Sequence, residues 1–411
     1  MTPEIKRRIE QIRRGEVPEG YKRSTDRIIP NDWYDYQLGD VGEVLMCKRV
    51  YANQTSEVGE IPFYKIGTFG KAADAFISRQ LYEDYRRKYS YPQKGDILIS
   101  AAGTLGKTVI YDGQEAYFQD SNIVWLKTDD RKLSNKYLIH YYQIINWPTP
   151  EGAAIQRLYN GIIREAHIVA PAVSEQQKIA AILTTQDKVI ELKEKRLAEK
   201  LRQKKYLMQQ LLTGRKRLPS YWGEWNFPKA KEIFQNVTDK NHKGDFMVLS
   251  ATQDKGIMPR NEVDIDIKYD VSSLANYKKV CQGNFVISLR SFQGGIEYSA
   301  YTGLVSPAYT VLSSKKELCD EYYKQYFKSA DFINRLNVAV YGIRDGKQIS
   351  FEDFGQLRIP YPPINEQTAI VQVLSTADRE ISLLRQDIEQ EKQKKKALMQ
   401  LLLTGIVRTT V

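Results

Sequence analysis

Two segments of this chain, residues 171–214 and 362–405, are copies of one another. They align without a gap at an offset of 191 residues, and 18 of their 44 positions are identical. The copies end on nearly the same eight residues, LMQQLLTG and LMQLLLTG. A long internal repeat constrains architecture strongly, because repeated sequence folds into repeated structure. The pattern therefore predicts a fold with an internal pseudo-twofold repeat.

Each copy predicts one helix of about 39 residues. Ser174 or Asn365 is the expected N-cap, and Gly214 or Gly405 stands where a left-handed C-terminal residue is expected. Apolar residues recur at steps of three and four, which is a heptad pattern. The residues selected for helix pairing or subunit docking are Leu183, Ile190, Leu207, Leu211, Leu374, Ile381, Leu398 and Leu402. Heptads alone favour a generic coiled coil for dimerisation. The duplication of caps, seam and ending favours pairing of the two copies within one chain.

Two globular blocks, about 30–165 and 220–358, flank the first helix and precede the second. They match weakly through GDILIS at 95–100 and GNFVIS at 283–288, each a short apolar strand followed by a loop. Helical stretches follow around 133–145 and 318–336. We therefore expect two α+β blocks. The loops of the two blocks differ more from one another than the two helix copies do. This difference indicates a constant frame that carries two blocks, each of which recognises a different ligand.

The charge and the residue types favour nucleic acid as the partner. The net charge is +11, the pI is about 9.2, and YEDYRRKYSYPQK at 82–94 interleaves tyrosines with cations. Cations neutralise phosphates, aromatic rings pack on sugars and bases, and polar side chains read base edges. The candidate DNA contacts are Arg86, Arg87, Lys88, Thr104, Lys107, Gln119 and Asn122 in the first block, and Arg290, Gln293, Tyr298, Arg344 and Lys347 in the second. Each of them alone is also an ordinary surface residue type.

Catalytic and metal-binding patterns are not found in the sequence. The cysteines and the histidines are isolated, so no metal site or disulfide framework is expected. GTLGKT at 103–108 lacks the first glycine of a phosphate-binding loop, since Ala101 stands there. IPYPPINEQ at 359–367 has Tyr361 where an amino-methyltransferase needs Asp, Asn or Ser. With no signal peptide and no membrane span, we expect a cytoplasmic protein.

The paired motifs P-[AP]-[VI]-[SN]-E-Q at 171–176 and 362–367 and the paired L-M-Q-x-L-L-T-G endings resemble a known family. So do IRRGEVPEGYK and IIPNDWYDYQLGDV near the N-terminus. The chain resembles, along nearly its whole length, the DNA-specificity subunit of type I restriction-modification enzymes, which take part in phage defence.

The resemblance implies two α/β target-recognition domains separated by two long antiparallel coiled-coil helices, in an α+β fold. The implied segments are an N-terminal helical segment (1–29), a first recognition domain (30–170), a central helix (171–217), a second recognition domain (218–361) and a C-terminal helix (362–411). Each domain would read one half of a split double-stranded DNA site, and the helix pair would set the unread spacer.

The resemblance also implies that the subunit is not an enzyme and holds no cofactor of its own. Two modification subunits would bind S-adenosylmethionine and methylate adenine N6. Restriction subunits would use ATP and Mg. Two identical partners need two equivalent docking surfaces, which a single chain supplies by repeating itself.

The residues also leave two other functions open. One is a coiled-coil scaffold with two protein-binding domains and no DNA binding, which the basic and aromatic stretches disfavour. The other is a methyltransferase with a fused reader, which the missing cofactor motifs disfavour.

Overall fold

The computed structural model describes residues 2–145, 147, 157–253, 255–263, 271–340 and 349–409. Residue contacts divide the chain into unit 1, Met1–Leu192 with Ile388–Val411, and unit 2, Lys193–Asp387. Each unit contains one α+β block and a part of both repeated helices, so the α+β fold class is confirmed.

Unit 1 begins with a short helix and a hairpin and continues into the first block. Its elements up to the central helix are α1 (Pro3–Arg13), β1 (Tyr21–Ser24), β2 (Arg27–Pro30), β3 (Tyr34–Gln37), α2 (Leu38–Val41), β4 (Gly42–Met46), β5 (Ile61–Tyr64), β6 (Phe76–Ile77), α3 (Arg79–Lys88), β7 (Ile97–Ser100), β8 (Thr108–Ile110), β9 (Tyr117–Phe118), β10 (Ile123–Thr128), α4 (Asn135–Tyr141), α5 (Asn160–Glu165) and β11 (His167–Ala170). The central helix is α6 (Val173–Leu211).

Unit 2 repeats much of this order. Its elements are α7 (Ala230–Ile233), β12 (Phe234–Val237), β13 (Leu249–Thr252), β14 (Gly256–Pro259), β15 (Lys278–Val280), β16 (Phe285–Ile287), α8 (Ser291–Gly294), β17 (Glu297–Tyr298), β18 (Gly303–Val305), β19 (Thr310–Ser314), α9 (Asp320–Tyr326), α10 (Ala330–Val340) and α11 (Phe351–Gln356). The second long helix is α12 (Ile364–Leu402).

The same antiparallel sheet lies at the centre of both blocks. The strand order is β4-β10-β7-β8 in unit 1 and β12-β19-β16-β17 in unit 2. In both sheets the strand that comes last in sequence, β10 or β19, lies between the first strand and the buried strand β7 or β16. The apolar runs of β7 and β16 are buried throughout, as expected for central strands covered on both faces.

Each unit has its own apolar core, to which the long helices contribute. In unit 1, Leu183 of α6 and Leu403 from the end of the second copy join Trp33 in one cluster. In unit 2, Leu212 and Leu374 join a cluster of aromatic residues from β12, β16 and α9. The repeated helices are therefore integral to the folding of both blocks.

The predicted helix lengths and endings are confirmed, but the predicted N-caps are wrong. Both long helices have 39 residues, and Gly214 and Gly405 have φ angles of 72° and 75°. Ser174 and Asn365 lie one residue inside their helices. The main-chain N–H of Glu175 donates to Ala172 O, so the first turn begins two residues earlier than a cap at Ser174 would place it.

Candidate nucleic-acid interface

The loop between β7 and β8, residues 101–107, projects two of the predicted DNA contacts. Ser100 Oγ donates to Thr104 O at 2.5 Å and accepts from Lys107 N at 2.9 Å, so one hydroxyl shapes the turn. Lys107 Nζ donates to Phe69 O at 2.7 Å and lies over the Phe69 ring. Thr104 and Lys107 are exposed. The ammonium of Lys107 thus fastens this loop to the segment that follows β5.

The turn between β9 and β10 carries two more predicted contacts, beside the same loop. Ala101 N donates to Asn122 O at 2.8 Å, and this bond joins the turn to loop 101–107. Gln119 Oε1 accepts from Ile66 N at 2.9 Å, so this oxygen is already used inside the unit. Ser121 has a φ of 51°, the left-handed region. Thr104, Lys107, Gln119 and Asn122 therefore form one loop cluster, as a reading surface requires.

Arg86, Arg87 and Lys88 lie elsewhere, at the end of α3. The Arg86 guanidinium lies 5.3 Å from the centre of the Tyr91 ring and donates to Tyr82 Oη at 3.3 Å. Arg87 forms an ion pair with Asp84 at 2.9 Å. Arg86 has a packing role that the sequence did not reveal, but Arg86, Arg87 and Lys88 are all exposed and can still meet a phosphate.

A network of tyrosine hydroxyls separates these cations from the loop cluster. Tyr91 Oη lies 2.8 Å from Tyr111 Oη, and Tyr111 directly follows β8, whereas Lys107 directly precedes that strand. The cationic end of α3 and the loop cluster thus lie at opposite ends of β8. Burial raises the pKa of the Tyr91 hydroxyl, so the network remains neutral.

In unit 2, the equivalent loop joins β16 to β17 and contains α8. Arg290 and Gln293 are exposed on it. Gln253, in the turn between β13 and β14, reaches Gln293 Oε1 with its amide nitrogen at 3.4 Å. Tyr298 of β17 is half-buried, with its ring centre 5.2 Å from Lys324 Nζ. The predicted contacts Arg344 and Lys347 lie outside the described residues.

The sequence did not point to two further polar residues of unit 2, Tyr309 and Arg260. Tyr309 immediately precedes β19, the place that Asn122 has before β10 in unit 1. Burial raises the pKa of Tyr309, and the positive charges of Arg260 and Arg290 oppose that shift. Arg260 Nε also donates to Ser250 Oγ at 3.1 Å. Alignment of the last sheet strands would have drawn attention to Tyr309.

The duplicated Glu-Gln motif has the same role in each unit, and its glutamates bind arginines. Arg408 binds Glu175 through Nε at 2.9 Å and a terminal nitrogen at 2.7 Å, while Arg217 binds Glu366 at 2.5 and 2.7 Å. These arginines stand three residues after Gly405 and Gly214. The start of each long helix is therefore bound, through this ion pair, by the segment that follows the other long helix.

A tryptophan completes each of these junctions. Arg408 lies 5.8 Å from the centre of the Trp33 ring, and Arg217 lies 5.3 Å from that of Trp225. Hydrogen bonding to Glu175 raises the pKa of the Arg408 guanidinium. Glu175 is 2% exposed. A buried carboxylate needs such a bidentate cation, because an unpaired charge is costly away from water.

The glutamines of the motif are fully buried and hold the neighbouring helices. Gln176 Oε1 accepts from Ser134 N at 2.9 Å, and its amide group donates to Pro171 O. Gln367 Oε1 accepts from Cys319 N at 2.8 Å, and its amide group donates to Pro362 O. Ser134 and Cys319 immediately precede α4 and α9. The E-Q pair thus orients a helix of the block against each long helix.

The residues predicted on the helix seam lie at the inner faces of the two helices. The buried ones are Leu183, Ile190 and Leu402 in unit 1 and Leu211, Leu374 and Ile381 in unit 2. Leu398 and Leu207 are partly buried against the cores of units 1 and 2. Packing accounts for all eight, and a surface for a partner must use other residues in addition.

Ion pairs cross between the helices within each unit. Lys395 Nζ lies 2.5 Å from Asp187 Oδ1, and Lys204 Nζ lies 2.5 Å from Asp378 Oδ1. The two pairs are equivalent, because Asp187 corresponds to Asp378 and Lys204 to Lys395 at the 191-residue offset of the repeat. In both units, a residue in the first half of one helix contacts a residue near the end of the other helix. The two helices therefore run antiparallel there.

The described residues are informative about metal binding, thiol chemistry and membrane insertion. They hold no cluster of His, Cys, Asp and Glu suited to a metal ion. Burial raises the pKa of the Cys47 thiol to about 12, which keeps it protonated and unreactive. In the same described segments, no helix is both long and apolar enough to cross a membrane.

Comparison with known families gives two matches along the chain. Residues 30–202 and 224–393 each match the type I restriction modification DNA specificity domain. A relative from Haemophilus influenzae, which bears the name of a type I restriction enzyme specificity subunit, is 58% identical over 147 residues. That match spans 36% of this chain and 38% of the relative. A specificity subunit of similar name from Methanocaldococcus jannaschii is 23% identical, over 95% of this chain and 97% of its own length.

Solved structures share the fold. The S subunit of a type I restriction-modification system from M. genitalium matches with a TM-score of 0.51 at 13% identity, over 95% of this chain and 99% of that one. A chain from a structure on complex assembly and conformational transition of the type I system matches with a TM-score of 0.60 at 15% identity, over 92% and 99%.

Proposed function

The chain belongs to the type I restriction-modification DNA specificity family, and from that premise we propose that each unit reads one half of a bipartite target in double-stranded DNA. Within the family the chain is a non-catalytic subunit for sequence-specific DNA recognition. The proposed readers are residues 30–170 and 218–361, and the proposed site of action is the cytoplasm.

One observation carries this proposal: the same sheet supports two loops of different chemistry. The order β4-β10-β7-β8 recurs as β12-β19-β16-β17, whereas loop 101–107 presents Thr104 and Lys107 and loop 288–295 presents Arg290 and Gln293. Arginine favours guanine and glutamine favours adenine at major-groove edges. A common frame with different reading groups is expected where two unlike half-sites must be recognised together.

We further propose that the long helices dock two modification subunits and set the unread spacer. The duplicated ion pairs and junctions support this, because two copies of one partner require two equivalent surfaces. S-adenosylmethionine, ATP and Mg would be bound by the partner subunits, and restriction subunits would join the same complex.

A block replacement tests the two-reader proposal. When residues 30–165 are exchanged for the equivalent block of a relative, one half of the methylated motif should change and the other half should persist. Long-read sequencing of methylated host DNA provides the measurement. The proposal fails if both halves change or if the motif is undivided.

A matched insertion tests the spacer. One heptad added after Arg196 and one after Asp387 preserve the seam and lengthen each helix by about 10 Å. That length corresponds to about three base pairs at ~3.4 Å each. The altered twist of the duplex can also abolish modification. Modification with an unchanged spacer would show that the helices do not set the distance.

A further inference from the structure

Lys328 binds three separate acceptors beside loop 288–295, the proposed reading loop of unit 2. It lies two residues after α9. Its Nζ donates to Gly294 O at 2.9 Å, to Gln253 O at 3.1 Å and to Glu297 Oε1 at 2.5 Å. A lysine ammonium has three N–H bonds, so this arrangement uses all of them. We call Lys328 and its three acceptors the ammonium tripod.

The tripod connects two backbone segments that each present a polar side chain to solvent. Gln253 O belongs to the turn between β13 and β14, and Gly294 O belongs to loop 288–295, which carries Arg290 and Gln293. Glu297 anchors the ammonium from β17 and is 2% exposed. We infer, on the basis of the proposed function, that Lys328 is a positioning residue that fixes loop 288–295, the proposed reading loop of unit 2, against the turn between β13 and β14.

The loop is seated closely on the end of α9, which makes its position sensitive to the tripod. Gly295 has a φ of 79°, and a Cβ there would lie 2.0 Å from Phe327 O. At the other end of the loop, Ser291 Oγ accepts from Ser288 N at 2.8 Å. The loop is thus fixed at both ends while Arg290 remains exposed between them. Base readout needs such fixed geometry, because a bidentate contact tolerates little displacement.

In unit 1 a different lysine joins the reading loop to a neighbouring segment. Lys107 lies within its own reading loop and joins that loop to Phe69 O. The position equivalent to Lys328, two residues after α4, is Gln143, whose Oε1 accepts from Lys395 Nζ at 2.9 Å. The tripod therefore belongs to unit 2, and the half-site read by unit 1 serves as an internal control.

The test uses the full chain purified with the modification subunits that the proposed function implies. Wild type, Lys328→Met, Lys328→Arg and Lys315→Met are each incubated with duplexes randomised over both half-sites, and the bound DNA is sequenced. Lys315→Met is the matched control. Lys315 follows the end of β19 that lies away from loop 288–295, and it donates to Lys231 O. This substitution removes the same charge from the same unit without touching the tripod.

We expect Lys328→Met to reduce discrimination about tenfold in the half-site of unit 2 and to leave the other half-site unchanged. Each mismatch in a specific site ordinarily changes binding by a factor of about 5 to 150. Lys328→Arg should show the same defect, because a planar guanidinium cannot place three N–H bonds on the tripod acceptors. Lys315→Met should keep both half-sites.

Stability is measured alongside, because Lys328→Met leaves the Glu297 carboxylate without its ammonium. The double variant Lys328→Met with Glu297→Gln removes both charges and should show the same relaxed half-site. Unchanged discrimination in folded Lys328→Met overturns the inference. So does failure of both variants to fold, which would make the tripod a stability element. If the wild type itself selects no bipartite motif, the proposed function fails instead.

Discussion

Units 1 and 2 are nearly alike where the long helices start and end, and unlike where their loops meet solvent. Each junction pairs a buried glutamate with an arginine over a tryptophan, as in Glu175 with Arg408 and Glu366 with Arg217. The loops share only their place in the sheet. The parts that maintain the frame are thus repeated, and the parts free to face a ligand have diverged. If the likeness extends to energies, equivalent substitutions at the two junctions should cost the same, and if the difference sets specificity, loop substitutions should affect one half-site only.

The largest effect is expected at the junctions. Arg217→Ala leaves the Glu366 carboxylate buried without a cation, which should destabilise unit 2 by about 3–5 kcal/mol. Arg408→Ala should do the same to unit 1. Amide hydrogen exchange in α9 and α4 reports each unit separately. Arg215→Ala is the control, because Arg215 is exposed and lies 3.6 Å from its partner Asp331. A clearly smaller loss in one unit would show that the junctions are alike in geometry only.

The next effect concerns the loops. If Arg290 reads a base, Arg290→Ala should weaken cognate binding by about 1–3 kcal/mol and relax one position in a single half-site. By contrast, the pair Arg86→Ala with Arg87→Ala should weaken all duplexes alike and reduce the salt slope by about one per lost phosphate contact. Fluorescence anisotropy titrations between 50 and 200 mM salt measure both. If Arg290→Ala weakened the binding of all duplexes equally, Arg290 would contact the DNA backbone and not a base.

A smaller effect distinguishes the units by pH. His140 on α4 is buried, with Nε2 3.1 Å from Thr184 Oγ1 and Nδ1 3.7 Å from Asp187. Burial lowers the pKa of His140 below 6.5. Asp187 opposes that shift, and Lys395 adds to it. The equivalent place on α9, six residues after the N-cap, is Gln325.

The sign of the pH effect follows from this lowered pKa. As pH falls below about 6.5, the unfolded chain binds a proton that the folded unit 1 resists, so unit 1 loses stability until the folded pKa is reached. One proton gives at most about 1.4 kcal/mol per pH unit. Urea unfolding at pH 7.5 and 5.5 measures the loss, and His140→Gln should remove it. A loss that persists in that variant would have another origin.

The smallest effect is expected for the ion pairs between the helices. Lys204→Met and Lys395→Met each remove a partly exposed pair and should cost less than about 1 kcal/mol. Lys395→Met should cost slightly more, because Lys395 also donates to Gln143. Thermal unfolding in low and high salt provides the measurement. A loss of several kcal/mol would mean that these pairs act as a cooperative network.

The helices could be predicted from sequence because periodicity and repetition are local properties. Leu183 and Leu374 were selected from heptads, and both are fully buried. The arginine junctions could not be predicted in the same way. Arg217 is far from Glu366 in sequence, and their contact exists only because the start of one copy meets the end of the other. The first helical turn was also predicted two residues too late, since Ser174 is a favourable N-cap residue type but the helix already includes it.

The candidate site was predicted in part, for a related reason. Thr104, Lys107, Gln119 and Asn122 were chosen as polar residues in loops, and the fold brings their loops together. The sequence could not reveal that Gln119 Oε1 binds a main-chain N–H or that Arg86 stacks on tyrosines, because those contacts depend on tertiary packing. Residue type predicts what a side chain can bind, while the fold decides which of its atoms are already engaged.

The core of unit 1 draws on distant parts of the chain, and this has a consequence for synthesis. Met399, Leu402 and Leu403 pack in the same cluster as Ile29 and Trp33. The ribosome therefore produces most of unit 1 early but supplies its closing segment only after all of unit 2. Until then, the nascent unit 1 exposes the apolar surface that this segment later covers. We expect translation halted before residue 388 to leave the earliest-made block open to proteases, although every residue of that block is present.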